Sequence, residues 1–121
     1  MRPAVRRVSV FAVDPLRVVI IDDHPILRAA CRALLRTEGV DVIADVDGDA
    51  QSLETVRRLN PDLVIVDISP GSPSAIEIAR RIRALDAPPR VVMTACDARE
   101  PPDGFTFIAK ADICAGALGR E

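Results

Sequence analysis

Arg17-Val18-Val19-Ile20-Ile21 runs straight into Asp22-Asp23, and the reading of this stretch decides the fold. A short Val/Ile-rich run with no polar interruption reads as a strand buried on both faces, the kind found in parallel sheets. Three later runs repeat the pattern. Leu63-Val64-Ile65-Val66 ends at Asp67, Arg90-Val91-Val92-Met93 ends at Thr94, and Phe105-Thr106-Phe107-Ile108-Ala109 ends at Lys110. All strands of a parallel sheet point the same way, so the residues that close these runs share one edge. Open α/β sheets bind their ligands at that edge. Three carboxylates, a hydroxyl and an ammonium are therefore expected in one pocket.

The segments between the runs read as helices. Pro25 suits a first helical position, Leu27, Ala30, Cys31, Leu34 and Leu35 recur on one face, and Gly39 stops the helix. Val40 to Val46, interrupted by aspartates, reads as a half-exposed edge strand. Asp49 can cap a second helix with core face Leu53, Val56 and Leu59, ended by Asn60-Pro61. Ser69-Pro70-Gly71-Ser72-Pro73 is a rigid loop, and Ser74 with Glu77 has capping-box spacing for a third helix. That helix presents Ala75, Ile78, Ala79, Ile82 and Leu85 to the core and Arg80, Arg81 and Arg83 to solvent.

The last third breaks the rhythm. Residues 95–109 must hold a crossover and a strand, and they include Pro101, Pro102 and Gly104. A helix of about 11 residues with two connections and a strand needs at least roughly 20 positions. The fourth helix is thus expected to be shortened or absent. A final helix from about Asp112 is short and carries two glycines.

The bulk numbers narrow the class. With 121 residues and 49% hydrophobic content, the chain suits one globular domain with a full core; 2% aromatic content makes that core aliphatic. A net charge of −2 gives no general pull toward nucleic acid or anionic membrane. No apolar stretch approaches a membrane span. Residues 1–15 carry Arg2, Arg6 and Arg7 before Val8 to Val13, but that apolar run is short and lacks a cleavage site, so it reads as an extension. The unit proper is residues 16–121. Cys31, Cys96 and Cys114, odd in number and without CxxC spacing, argue for a reducing cytoplasm.

The pocket's composition indicates its chemistry. Asp22, Asp23 and Asp67 repel one another unless a cation stands among them. Oxygen ligands with water in the remaining positions suit Mg²⁺, which in such sites serves a phosphoryl group. Lys110 offers a point charge to a phosphate oxygen and Thr94 a hydroxyl donor. Asp67, central in the sheet, is placed to act as a nucleophile and become an acyl phosphate. One strand-end aspartate alone would be explained as a helix cap; a pair opposite Asp67 is not. His24 reads as a helix-start residue and Cys31 as core. Cys96 has no basic neighbour nearer than Arg99 to activate it.

Four stretches together carry a family resemblance. "RVVIIDDHPILRAACRALL" (17–35), "PDLVIVDIS" (61–69), "VVMTA" (91–95) and "FIAKAD" (107–112) resemble the receiver domains of two-component response regulators, the NarL/FixJ (LuxR-type) subfamily above all. The resemblance covers residue 17 to about 113. It implies a flavodoxin-like, doubly wound α/β fold with a five-stranded parallel sheet of order 2-1-3-4-5. By the resemblance Asp67 is the phosphoacceptor and Asp22, Asp23 and Asp67 hold Mg²⁺ with the backbone carbonyl of Ser69. Thr94 and Lys110 match the switch hydroxyl and phosphate-binding lysine, and Phe107 the aromatic that changes rotamer on activation. The partners implied are a histidine kinase or phosphotransfer protein and a downstream protein, with a homodimer as a further implied assembly.

Departures from the family pattern are as specific. Pro70 comes one place early, Gly71 follows it, and Ala75 stands where the family has a glycine. The shortened crossover falls where the family builds its output and dimerisation face. The chain reaches Glu121 without a helix-turn-helix, so no nucleic acid binding is expected of it. Two other readings are therefore kept beside the switch. One is a degenerate receiver acting as a phosphorylation-independent interaction module, the other a truncated remnant of a DNA-binding regulator. The chain is expected to be a phosphoryl acceptor with at most slow self-dephosphorylation, not an enzyme. An Asp-nucleophile phosphatase would carry a second Asp where Ser69 stands.

Overall fold

The computed structural model describes residues 14–69, 74–97 and 104–119. Five strands, β1 (Arg17–Ile21), β2 (Asp41–Val46), β3 (Leu63–Asp67), β4 (Arg90–Thr94) and β5 (Thr106–Phe107), form one parallel sheet of order β2-β1-β3-β4-β5. Helices α1 (Pro25–Thr37), α2 (Ala50–Leu59) and α3 (Ala75–Arg83) make the crossovers. A single 3₁₀ turn at Lys110–Asp112 leads to α4 (Ala115–Leu118). This is the flavodoxin-like order read from the sequence.

Strand alternation divides the core into two layers. Val19, Ile21, Val64, Val66 and Met93 point to the face covered by α2 and α3, where Val56, Ile78, Ala79 and Ile82 meet them. Val18, Ile20, Leu63, Ile65 and Val92 point to the other face, against Leu35, Ile113 and Leu118. The period of two places successive residues on opposite faces, and both faces are covered, so β1 is apolar from Val18 to Ile21 and β3 from Leu63 to Val66. Each such side chain, fully buried, contributes about 1.5–3 kcal/mol.

Several expected punctuation marks are in place. Pro25 opens α1, and Gly39 adopts φ +85 just beyond its end. The Asp49 carboxylate accepts from the Gln51 N–H at 2.9 Å, and Asn60 closes α2 in the left-handed region at φ 50. Ala75, Ile78, Ala79 and Ile82 are the buried residues of α3.

Three expectations are corrected. Ser74 and Glu77 do not form a capping box. Ser74 takes a helical backbone at φ −85, ψ −6, which turns its hydroxyl toward Gly48 O at 3.5 Å, while Glu77 pairs with Arg81 at 3.2 Å. The face assigned to the core of α1 is not all buried: Leu35 is, but Leu27 and Leu34 are 38% and 47% exposed. The reason is that α4 spans only four residues and sits at the foot of the sheet, with the Ala115 N–H on Glu38 Oε1 at 2.6 Å, so it leaves the flank of α1 bare. The fifth strand has two residues, and Lys110 starts the 3₁₀ turn.

Arg83 also departs from its solvated reading. It donates to Gly104 O at 2.9 Å and lies 4.4 Å above the Phe105 ring, fastening the end of the β4–β5 crossover to α3. The fourth helix is expected to be shortened or absent between Thr94 and Lys110, and residues 98–103 of that crossover lie outside the described residues, as do the 70–73 loop and residues 1–13. Of residues 95–97 and 104–105, none is helical.

Candidate functional site

Topology brings the predicted residues to one edge. Asp67 closes β3 in the centre of the sheet, opposite Thr94 of β4 in register. Asp22 follows β1 on the other side of β3, its N–H on Val46 O at 3.0 Å. Lys110 follows β5, held by its N–H on Ala95 O at 3.0 Å. Strand order alone thus gathers side chains from four well-separated parts of the sequence.

The ammonium of Lys110 joins the two buried acids. Its Nζ lies 2.7 Å from Asp22 Oδ2 and 2.6 Å from Asp67 Oδ2. Both carboxylates are almost fully buried, at 3% and 2% exposure, while the lysine keeps some contact with solvent. Ser69, two residues on, donates to Asp67 Oδ1 from its N–H at 2.8 Å and from its hydroxyl at 2.6 Å. Burial opposes ionisation of Asp67, but the Lys110 ammonium and the two Ser69 donors outweigh it and bring its pKa down to about 2. Burial likewise opposes the charged form of Lys110, and its hydrogen bonds to Asp22 and Asp67 prevail and raise its pKa. At neutral pH the pocket therefore holds an ionised Asp67 and a charged lysine.

His24 belongs to this cluster, which the sequence reading did not anticipate. Its N–H donates to Asp22 Oδ1 at 2.8 Å, and its Nδ1 stands 3.0 Å from that oxygen and 3.4 Å from Asp67 Oδ2. The hydrogen bond to Asp22, against a smaller cost of burial, raises its pKa above 6.5. The available signal was position: a residue two after Asp22, held by Pro25 at the start of α1, has little freedom to leave the edge.

Asp22, His24 and Asp67 each offer one ligand atom within 4.8 Å of the others. Asp23 is not part of that group. It is exposed, and its Oδ1 accepts the Gly48 N–H at 2.6 Å. Phe107 is half-buried and packs against the core layer under α2 and α3. Cys96 reaches Ser69 only through its backbone N–H, 3.4 Å from the hydroxyl oxygen. Cys31 is raised in pKa by burial, as a packed thiol should be.

Thr94 gives the fit test for a ligand. Its side chain is 1% exposed and its Oγ1 has no hydrogen-bond partner among the described residues. A buried hydroxyl left unpaired costs about 1–3 kcal/mol. Here the orphan lies on the strand next to Asp67, at the edge where the charged groups converge. Two buried carboxylates for a cation, an ammonium and an unspent hydroxyl for an anion form a donor set that fits Mg²⁺ together with a phosphoryl group.

Known proteins are similar in sequence and shape. Residues 18–109 match the response regulator receiver domain family. The virulence-factor transcription regulator BvgA of Bordetella pertussis is 36% identical over 103 residues, covering 85% of this chain and 46% of that protein. The chemotaxis protein CheY of Bacillus subtilis is 31% identical over 77 residues, 64% of each chain. Among solved structures, the signal receiver domain of the response regulator NarL from Mycobacterium tuberculosis superimposes with a TM-score of 0.72 at 26% identity, covering 89% of this chain and all of that one. The chain spans about half the length of the curated regulators it matches first, 46% for BvgA.

Proposed function

The chain belongs to the response regulator receiver domain family, and from that premise we propose that it is a phosphorylation switch. Asp67 accepts a phosphoryl group from a histidine kinase or phosphotransfer protein, and the added charge changes which downstream protein the domain binds. The observation that carries this reading is the Lys110 ammonium bound to both Asp22 and Asp67, one strand from the unpaired Thr94 hydroxyl. A solvated lysine or a capping aspartate explains neither feature.

In the transfer, an Asp67 carboxylate oxygen attacks phosphorus. The bond from phosphorus to the donor imidazole nitrogen breaks, its electron pair stays on nitrogen, and that nitrogen takes up a proton. A pKa of about 2 keeps Asp67 ionised for the attack across the physiological range. Asp22, Asp23, Asp67 and the Ser69 carbonyl would hold Mg²⁺, which when bound neutralises charge on the phosphoryl oxygens. Lys110 is free to follow the transferred group, since its charge then balances a phosphate instead of a carboxylate. The Thr94 hydroxyl donates to a phosphoryl oxygen, and Phe107 answers by changing its packing. About two added negative charges supply the drive.

We assign this activity to residues 16–121, with residues 1–15 an extension. The chain acts as a phosphoryl acceptor with at most slow self-dephosphorylation, not as an enzyme on a free substrate. Three free cysteines suit a reducing compartment such as the cytoplasm. Among the described residues no helix is long and apolar enough to cross a membrane.

The test is incubation with acetyl phosphate and Mg²⁺, followed by intact mass, on wild type and Asp67→Asn. One phosphate on wild type and none on the variant is the expected result. A folded wild type that takes up no phosphate overturns the switch and leaves a phosphorylation-independent interaction module as the better account.

A further inference from the structure

The face of α1 that looks toward the edge strand β2 carries arginines at 28, 32 and 36, one helical turn apart. The lower two serve β2 itself: Arg32 pairs with Asp45 at 2.7 Å, and Arg36 donates to Val42 O at 3.0 Å. Arg28 does something else. Its Nη1 donates to the backbone carbonyl of Asp22 at 2.8 Å and to Asp47 Oδ1 at 2.5 Å, and its Nε lies 3.1 Å from Asp45 Oδ1. One guanidinium therefore ties the turn after β1 to the loop after β2. Its side chain is only 18% exposed, so little solvent competes for the bonds to the Asp22 carbonyl and Asp45, while Asp47 is itself exposed.

Other bonds fasten the same two loops. The Asp22 N–H donates to Val46 O at 3.0 Å, and the Gly48 N–H donates to Asp23 Oδ1 at 2.6 Å. Both main-chain groups of Asp22 are thus held, one by β2 and one by Arg28, while Asp23 is held by the residue beside Asp47. Aspartates that must converge on one cation repel each other, so the backbone beneath them has to be restrained from outside.

We infer that Arg28 is a positioning residue of the acid pair, locking the Asp22–Asp23 turn to the Asp47–Gly48 loop so that the site is set before a divalent cation arrives. This rests on the receiver reading above. Arg28 is not among the candidate ligands Asp22, His24 and Asp67; it acts through the Asp22 carbonyl. A planar fork is needed for the task, because a lysine ammonium cannot reach the carbonyl and both aspartates in one geometry.

Charge and geometry predict opposite signs, which makes the inference testable. Removing a positive charge near an acidic site should tighten cation binding by field alone, whereas loss of positioning should weaken it. The experiment is a Mn²⁺ titration followed by electron paramagnetic resonance on wild type, Arg28→Ala and Arg28→Lys, with melting curves for each. Arg28→Ala is expected to bind Mn²⁺ about tenfold more weakly. Arg28→Lys, which keeps the charge and should fold, is expected to fall between Arg28→Ala and wild type. In acetyl phosphate labelling, the half-saturating Mg²⁺ concentration should rise while the rate at saturating Mg²⁺ stays close to wild type. Equal or tighter Mn²⁺ binding in a folded Arg28→Lys or Arg28→Ala overturns the inference while leaving the receiver reading intact. A wild type that binds no Mn²⁺ overturns the receiver reading, and this inference with it.

Discussion

The two sides of the sheet are built to different standards. On the β1–β3 side, Val18 to Ile21 and Leu63 to Val66 are each at most 1% exposed, and the loops above them are tied by Arg28, Val46 and Gly48. On the β4–β5 side, β5 pairs at two positions only, with Thr106 exposed and Phe107 half-buried. Yet Lys110, the residue that neutralises the acids, comes from this second side. The two buried acids are placed on the firm half and their counter-charge on the slighter half. On the proposed switch, Lys110 exchanges a carboxylate partner for a phosphate, and such a group is better hung from an element that gives way cheaply.

The comparison can be broken first by cutting the firm half. Ile65→Ala, at a central and 1% exposed position, should destabilise the fold by about 3–4 kcal/mol in urea denaturation. Phe107→Ala on β5 should cost about 1–2 kcal/mol, since less of the ring leaves water. Equal costs would mean that the two halves are equally packed.

Next in size is Lys110→Ala, expected to cost about 3 kcal/mol because two buried carboxylates lose their counter-charge. Adding Mg²⁺ should restore part of that loss, and should stabilise this variant more than it does wild type. If Mg²⁺ gives both proteins the same increment, the acids are not what the lysine was neutralising.

The acid limb of the stability curve sharpens the same point. Asp67 has its pKa lowered from 3.8 to about 2, so it binds fewer protons folded than unfolded over that interval. Its contribution, on the order of 2 kcal/mol, is present above about pH 4 and is lost as pH falls toward 2. Asp67→Asn should lack this portion of the limb when unfolding is followed from pH 5 to pH 2. Smallest of all, Arg83→Ala should cost less than about 1 kcal/mol through lost stacking on Phe105. It should speed amide exchange at Phe107 while leaving that of Ile65 unchanged.

The firm half was also the half legible in the sequence. Uninterrupted apolar runs specified β1, β3 and β4, and their closing residues named Asp22, Asp67 and Thr94 without any structure; the run before Lys110 named the lysine as well, but its strand was read longer than the two residues of β5. What could not be read depended on contacts distant in sequence. Leu27 and Leu34 have helical spacing whether or not a neighbour covers them, and α4 proved too short to do so. Ser74 and Glu77 have capping spacing in any backbone, but the conformation at Ser74 sent its hydroxyl to Gly48. His24 and Arg28 carry no periodic signal toward the pocket. Their roles follow from where α1 begins and from which loop lies opposite it.

The central claim is that phosphate is accepted on Asp67, and chemical trapping tests it most directly. An acyl phosphate is reduced by borohydride to an alcohol, which turns a phosphorylated aspartate into homoserine. After acetyl phosphate and Mg²⁺, reduction and peptide mass mapping should find homoserine at position 67 and at no other aspartate. Homoserine elsewhere, or none in a protein shown to be folded, would contradict the account.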